Sequence, residues 1–538
     1  MDIQRLFLFL IFSFSLVMVW DGWQRHQHPE LAQPAVVTAS APSPSPASRA
    51  ELTSVQKAKQ AGKLIAVKTD LFEAKINTVG GDIDQLVLRE HRDALDSSKP
   101  FVLFSRGEGT HDYIAQGGLL GDGLPNHNTE YLAEQDSYVM TEDQIQVRLA
   151  APQIGAAKVT KVLTFHRGSY LIDQTYELEN LGAEPLKFSS YFQLVRDSLP
   201  PAGSSSFIPT FTGPAIYTDK EKFQKIEFSK IAEGNAEYPK RSGDGWVGML
   251  QHYFVAALIV PTGTDRENYT RKLEGDLYST GVILPETVVA PGQTQTQTTA
   301  LYAGPATAKL DDIAPGLGLT VDYGWLTVIA NPLFWLMSLL HGWVLNWGVA
   351  IILLTVLIKL AFFPLSAASY RSMAKMRLVA PKLEKIKQQY ADDREQLNKA
   401  MMDLYKTEKI NPLGGCLPVL IQIPVFIALY WAILSSVEMR HAPFFGWITD
   451  LSVADPYYIL PIIMGISMIV QMRLNPVPPD PIQAKVMKIM PIAFSVIFFF
   501  FPAGLVLYSI VNNLLSIAQQ WYITRQAEAG QKGAAAKR

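Results

Sequence analysis

Lys359 lies in an apolar run, Trp343–Phe363, whose other polar side chains are Asn346 and Thr355. Thr355 is one helical turn before it, on the same face. A lysine inside hydrocarbon costs about 2.5–3.5 kcal/mol on insertion scales, so it is a functional candidate by default. The bland alternative is snorkelling. Lys359 is five residues from Pro364, about 7 Å along a helix, so its ammonium can reach a headgroup layer.

Other apolar runs carry polar residues too. In Leu505–Ile523, Ser509, Asn512, Asn513, Ser516 and Gln519 fall within about 120° of one another at 100° per residue. Gln422 lies in Leu417–Val437, and Ser467 and Gln471, at i and i+4, lie in Tyr457–Leu474. One such stripe is ordinary interhelical hydrogen bonding. A stripe, a lysine and scattered amides together suggest a water-accessible cavity. No Asp or Glu occurs in 343–363, 457–474, 486–501 or 505–523, so the carboxylates typical of proton or cation pathways are missing.

Soluble chemistry is poorly represented. No phosphate-binding glycine loop, dinucleotide fingerprint, nucleophile elbow or H-E-x-x-H occurs. His26 and His28 form a lone H-x-H without a third ligand nearby, and Cys416 is the single cysteine. No catalytic residue, cofactor or metal is expected. Lys+Arg (47) and Asp+Glu (49) nearly balance at −2, which argues against sequence-specific nucleic-acid binding. Charged residues are only 18 %, against about 25 % in ordinary globular domains, and mean hydropathy is +0.11.

The deficit comes from long uncharged runs. Leu6–Trp20 follows Arg5, and Trp20 and Trp23 look like interfacial anchors, so residues 1–23 read as an uncleaved membrane anchor rather than a signal peptide. With Trp343–Phe363, Leu417–Val437, Tyr457–Leu474, Val486–Phe501 and Leu505–Ile523 the total is six spans, five of them in a core over 343–524. Between Leu365 and Cys416, ten basic residues face six acidic ones, a net +4. Basic loops stay cytoplasmic, which puts both termini inside and about 24–342 outside. Residues 365–415 repeat Leu383, Ile386, Leu397, Met401, Leu404 and Tyr405 at helical spacing, which predicts an antiparallel helical hairpin. A solvated hairpin is one reading, and a docking site for a ribosome or nascent chain is the sharper one. Residues 525–538 form a cytoplasmic tail.

Residues 24–62, with APSPSPAS at Ala41–Ser48, read as an extended linker. Residues 63–320 read as a large antiparallel β-sandwich. Tyr170–Asn180 alternates, Phe254–Val260 suits a buried strand, and Thr294–Thr299 suits an exposed strand face. Asn331-Pro332 predicts a helix start, with Asn331 as N-cap, for an interfacial amphipathic helix over 321–342. A bent extension of the next span is the alternative.

At Asn411–Pro418 (NPLGGCLP), continuing LIQIPVFIALY to Tyr430, the chain resembles the YidC/Oxa/Alb family of membrane protein insertases. SMAKMR (Ser372–Arg377), DPYYILPIIMG (Asp455–Gly465), FPAGLVLY (Phe501–Tyr508) and Gln519-Gln520 support it. The resemblance covers the whole chain and looks like the Gram-negative form, with a large periplasmic domain. It implies a polytopic inner-membrane insertase and chaperone for nascent membrane proteins, working alone or with the Sec translocon. It also implies a hydrophilic groove open to cytoplasm and lipid, with Lys359 where relatives often carry Arg. Ser509 stands where some relatives carry an aromatic. The outer domain is expected to be similar to a galactose-mutarotase-like super-sandwich without established catalysis. On residues alone, a small-molecule or ion transporter and a glycan-acting envelope enzyme are the competitors; no internal repeat supports the former.

Overall fold

The computed structural model describes residues 62–107, 111–201, 210–390, 393–408, 417–475 and 481–535. The expected anchor, most of the linker, His26, His28, the segment Asn411–Cys416 and residues 536–538 of the tail lie outside the described residues.

Two antiparallel sheets, of eleven and nine strands, form the sandwich. One pairing departs from the antiparallel expectation: Ala66–Lys68 runs parallel to Ser137–Val139. The three strand expectations correspond to Leu171–Asn180, Phe254–Ile259 and Thr294–Pro305, adjacent in the nine-stranded sheet. In Leu171–Asn180 each second residue, from Ile172 to Asn180, is buried, as a period-two pattern demands. Ile65, Val67 and Ile83 of one sheet meet Leu163, Phe165, Ile172 and Leu258 of the other in one apolar core.

The helical half begins with α1 (Thr327–Val344), α2 (Trp347–Ala361), α3 (Phe363–Gln389) and α4 (Arg394–Thr407). Then follow α5 (Leu417–Ser435), α6 (Ile459–Leu474), α7 (Pro481–Phe498) and α8 (Ala503–Ala535). Two expectations on boundaries change. Asn331 does not cap α1. The helix starts at Thr327 after Leu326, and Pro332 lies inside it. Leu326 and Ala330 are already buried, so packing extends the helix upstream of the local start signal. The run Trp343–Phe363 is not one helix. Leu345 takes a left-handed conformation (φ 54°), and Asn346 caps α2 by accepting a hydrogen bond from Val349 N at 3.0 Å. Asparagine suits that position, and its Nδ2 donates to Phe444 O at 3.2 Å, so a tertiary neighbour holds it there.

Among the described residues, α1 alone is long and apolar enough to cross a bilayer by itself; α2 and α3 qualify as one pair bent by 67°. Gln422–Ser435, Ile459–Leu474 and Ile489–Phe498 are shorter apolar helices. The helix expected to lie at the interface is thus the one with a full span's length, and the described residues leave the count of six spans untested.

The hairpin is present. Val379 and Leu383 of α3 pack on Tyr405 of α4, with Met376, Met401 and Leu404 around them. Asp393 caps α4 by accepting from Glu395 N and Gln396 N, each at 3.0 Å.

The two halves interlock where α5 ends. Val437 joins the sandwich core. The Arg440 guanidinium lies 5.2 Å from the ring centre of Phe101, 5.5 Å from Phe254 and 5.8 Å from Tyr253. His252 Nε2 donates to Leu434 O at 3.0 Å, and Ser435 Oγ to Asp322 O at 2.6 Å. Desolvated cation–π contacts of this kind are worth about 1–2 kcal/mol.

Candidate functional site

The start of α2 is sealed. Ala350, Ile351 and Leu354 pack on Ala428, Leu429, Ala432 and Ile433 of α5 and on Leu505 and Val506 of α8, all buried in one apolar cluster. The end of α2 is different. About 400 Å³ of open space is lined there by Ile358 and Lys359 of α2, Phe362 at the bend, and Leu365 and Ser366 of α3. Gln422 and Val425 of α5 and Tyr508 and Asn512 of α8 complete it. Lys359 is the one charged side chain of this lining.

The bend creates the space. Phe362 ends α2, Pro364 occupies the first turn of α3 where a missing N–H costs nothing, and the axis turns by 67°. α3 therefore turns away from the axis of α2 while staying packed on α8, and a notch is left beside Lys359. The lysine is 8 % exposed, and its Nζ donates to Ser516 Oγ of α8 at 2.7 Å. No ion pair to Lys359 is present among the described residues, so a serine hydroxyl holds the ammonium where a carboxylate would be expected.

The structure places the sequence candidates in two groups. Lys359, Gln422 and Asn512 line the cavity, and Ser516 holds Lys359. Thr355 is fully buried one turn away, its hydroxyl donating to Ile351 O at 2.7 Å. Ser509 is likewise turned back on its own helix, donating to Leu505 O at 2.9 Å. Ser467 receives a bond from Asn513 Nδ2 at 3.2 Å and ties α6 to α8 away from the lining. Gln471, half-buried on α6, is not among the lining residues. A shared face on a helical wheel thus does not mean a shared cavity, because the wheel does not say which neighbouring helices that face packs against.

Sequence reasoning missed Tyr508, Ser366 and Tyr370. Tyr508 is 1 % exposed and lines the cavity together with Gln422. Its signal was available, since it is one position from Ser509 in a recognised motif. Ser366 and Tyr370 gave none, because they follow the bend and were counted with the cytoplasmic loop.

Comparison with known proteins gives this arrangement a family. Residues 64–336 match the family described as YidC periplasmic domain, and residues 339–531 that described as 60Kd inner membrane protein. The chain is 53 % identical to the membrane protein insertase YidC of Nitrosospira multiformis, over 98 % of each chain. It is 54 % identical to that of Methylobacillus flagellatus, again over 98 % of each. The chain belongs to the YidC family of membrane protein insertases. A crystal structure of an active YidC insertase aligns over 86 % of this chain and 93 % of its own at 19 % identity and a TM-score of 0.40. Family membership also makes this a membrane insertase of the inner-membrane type and not an enzyme. The two family matches meet between residues 336 and 339, inside α1, so the helix that links the halves belongs partly to each.

Proposed function

We propose that the cavity beside Lys359 is where a client's polar tail enters during insertion of a nascent membrane protein. The observation that carries this reading is one-sidedness. Polar groups and a cation line the end of α2 near the bend, whereas the other end of the same helix is closed by apolar side chains. Such a half-channel shortens the hydrocarbon path a tail must cross, which otherwise costs several kcal/mol per charge. The client's own apolar segment then moves into lipid, and its burial drives the step without a nucleotide.

The +4 hairpin offers a cytoplasmic surface for delivery, from a ribosome or a nascent chain. The outward face of α1, with Trp335 and Trp343 exposed, suits the headgroup layer of a bilayer. Both termini inside, the sandwich outside, a chaperone role and cooperation with the Sec translocon complete the reading. A transporter has less support, since no carboxylate lines the cavity among the described residues.

The test is insertion of a newly synthesised single-span client into liposomes holding only this chain. Protease-protected, correctly oriented client supports the reading. Passage of small solutes without client insertion would replace it with the transporter.

A further inference from the structure

Ser516 has one proton and two lone pairs. The proton goes to Asn512 O, one turn back on α8, at 2.7 Å; a carbonyl can only accept. The hydroxyl is left as a dedicated acceptor. One lone pair takes the Lys359 ammonium at 2.7 Å, and Tyr370 of α3 packs against the same helix α8 through Ile523. All three side chains are buried, at 2 % (Ser516), 8 % (Lys359) and 7 % (Tyr370) exposure. A buried, oriented oxygen of α8 therefore holds the cation of α2, with α3 packed alongside.

The bend is what allows this. In a straight helix, positions 359 and 370 would stand about 16 Å apart along the axis at 1.5 Å per residue. The 67° turn at Phe362 lets both pack against α8. Tyr370 is itself fixed by packing on Ala367 and on Ile523 of α8. A lysine side chain has four rotatable bonds and no preferred direction for its charge. Here that freedom is removed by an acceptor whose own orientation is locked.

We propose that Ser516 is the positioning residue for Lys359, which fixes its ammonium at one depth in the cavity so that it meets a client carboxylate at one register of the tail. The inference rests on the cavity reading above. A hydroxyl suits the task because it holds the cation by a charge-assisted bond without neutralising it, and so leaves the charge for the client. An Asp or Glu in its place would form a standing ion pair that the client has to displace.

The experiment uses the full chain in proteoliposomes and clients stalled during insertion. Each client carries a single Asp at successive positions of an otherwise neutral tail. A carbodiimide joins carboxylate to amine at zero length, and mass spectrometry maps the product. With the native chain, linkage to Lys359 is expected to peak at one or two Asp positions. Ser516→Ala is expected to spread it over a full turn or more, with the peak lowered about three- to tenfold, while Lys359 still reacts. Ser516→Thr, which keeps the acceptor, is expected to restore the peak. A profile in Ser516→Ala as sharp as the native one would overturn the positioning role. Absence of linkage to Lys359 in the native chain at every Asp position would instead remove the cavity reading on which it rests.

Discussion

Replacing Lys359 by Met removes the cavity's charge while keeping most of the apolar stem. A client carboxylate 4 Å from the ammonium gains about 1 kcal/mol at the dielectric of water and about 4 kcal/mol at an effective value of 20. The partly enclosed site lies between these limits, near 2–3 kcal/mol. Against that stands the bond to Ser516, of the charged type worth about 1.5–3 kcal/mol, which the ammonium must share or loosen. If about half of that bond is given up, the net gain is about 0.5–2 kcal/mol, or roughly two- to thirtyfold at 1.4 kcal/mol per decade. Lys359→Met is therefore expected to slow insertion of a client with an acidic tail by that factor, and of the same client with an Asn-substituted tail by less than twofold. Lys359→Glu should slow the acidic client further, and Lys359→Arg should keep most activity, since the charge is retained. The assay is the initial rate of protease-protected client in proteoliposomes at low and high salt. Equal slowing of acidic and neutral tails by Lys359→Met would refute the electrostatic argument. It would mean that the lysine acts through packing of α2 on α8.

Acid should loosen the junction between the two halves. Burial, with the Arg440 guanidinium nearby, pushes His252 and His91 from 6.5 down to about 4; Asp450 and Asp93 also face Arg440. The unfolded chain binds these protons below about 6.5 and the folded chain only near 4, so stability is lost as pH falls through that window. The loss is on the order of 1 kcal/mol per pH unit per histidine, reduced by the rings' partial exposure. Thermal unfolding of the full chain in detergent should show this slope, and His252→Gln, which keeps an N–H for Leu434 O, should flatten it by about half. In the hairpin, Leu383→Ala should cost about 2–3 kcal/mol through lost contact with Tyr405. Hydrogen exchange should rise in α3 and α4 only, with slower client delivery. Deleting 64–304 removes no cavity residue, so insertion is expected to persist. Because Val437 and Arg440 lose their sockets, a lower Tm is expected, with partial recovery on Val437→Ser. Loss of insertion by a folded core would move mechanism into the sandwich.

Much of this protein is legible in its residue order, because burial in lipid or between sheets demands local patterns. Period-two alternation marked Leu171–Asn180, helical spacing marked the hairpin, and an uncompensated Lys359 in an apolar run marked the cavity. The NPLGGCLP and FPAGLVLY segments carried the family. Tertiary structure decided what depends on where separate helices meet. Asn346 reads as an interruption in a span and is a cap, because the choice between continuing and restarting a helix is made by neighbours. Asn331-Pro332 reads as a start and lies within α1, because Leu326 and Ala330 have a core to enter. Most of all, a helical wheel gives direction about one axis and nothing about its neighbours. Thr355 and Ser509 share faces with Lys359 and Asn512 yet turn their protons inward, whereas Ser516 of α8 holds the Lys359 ammonium, and Tyr370, eleven residues past Lys359 and beyond a 67° bend, packs on the same helix. That convergence exists only once α2, α3 and α8 are packed together.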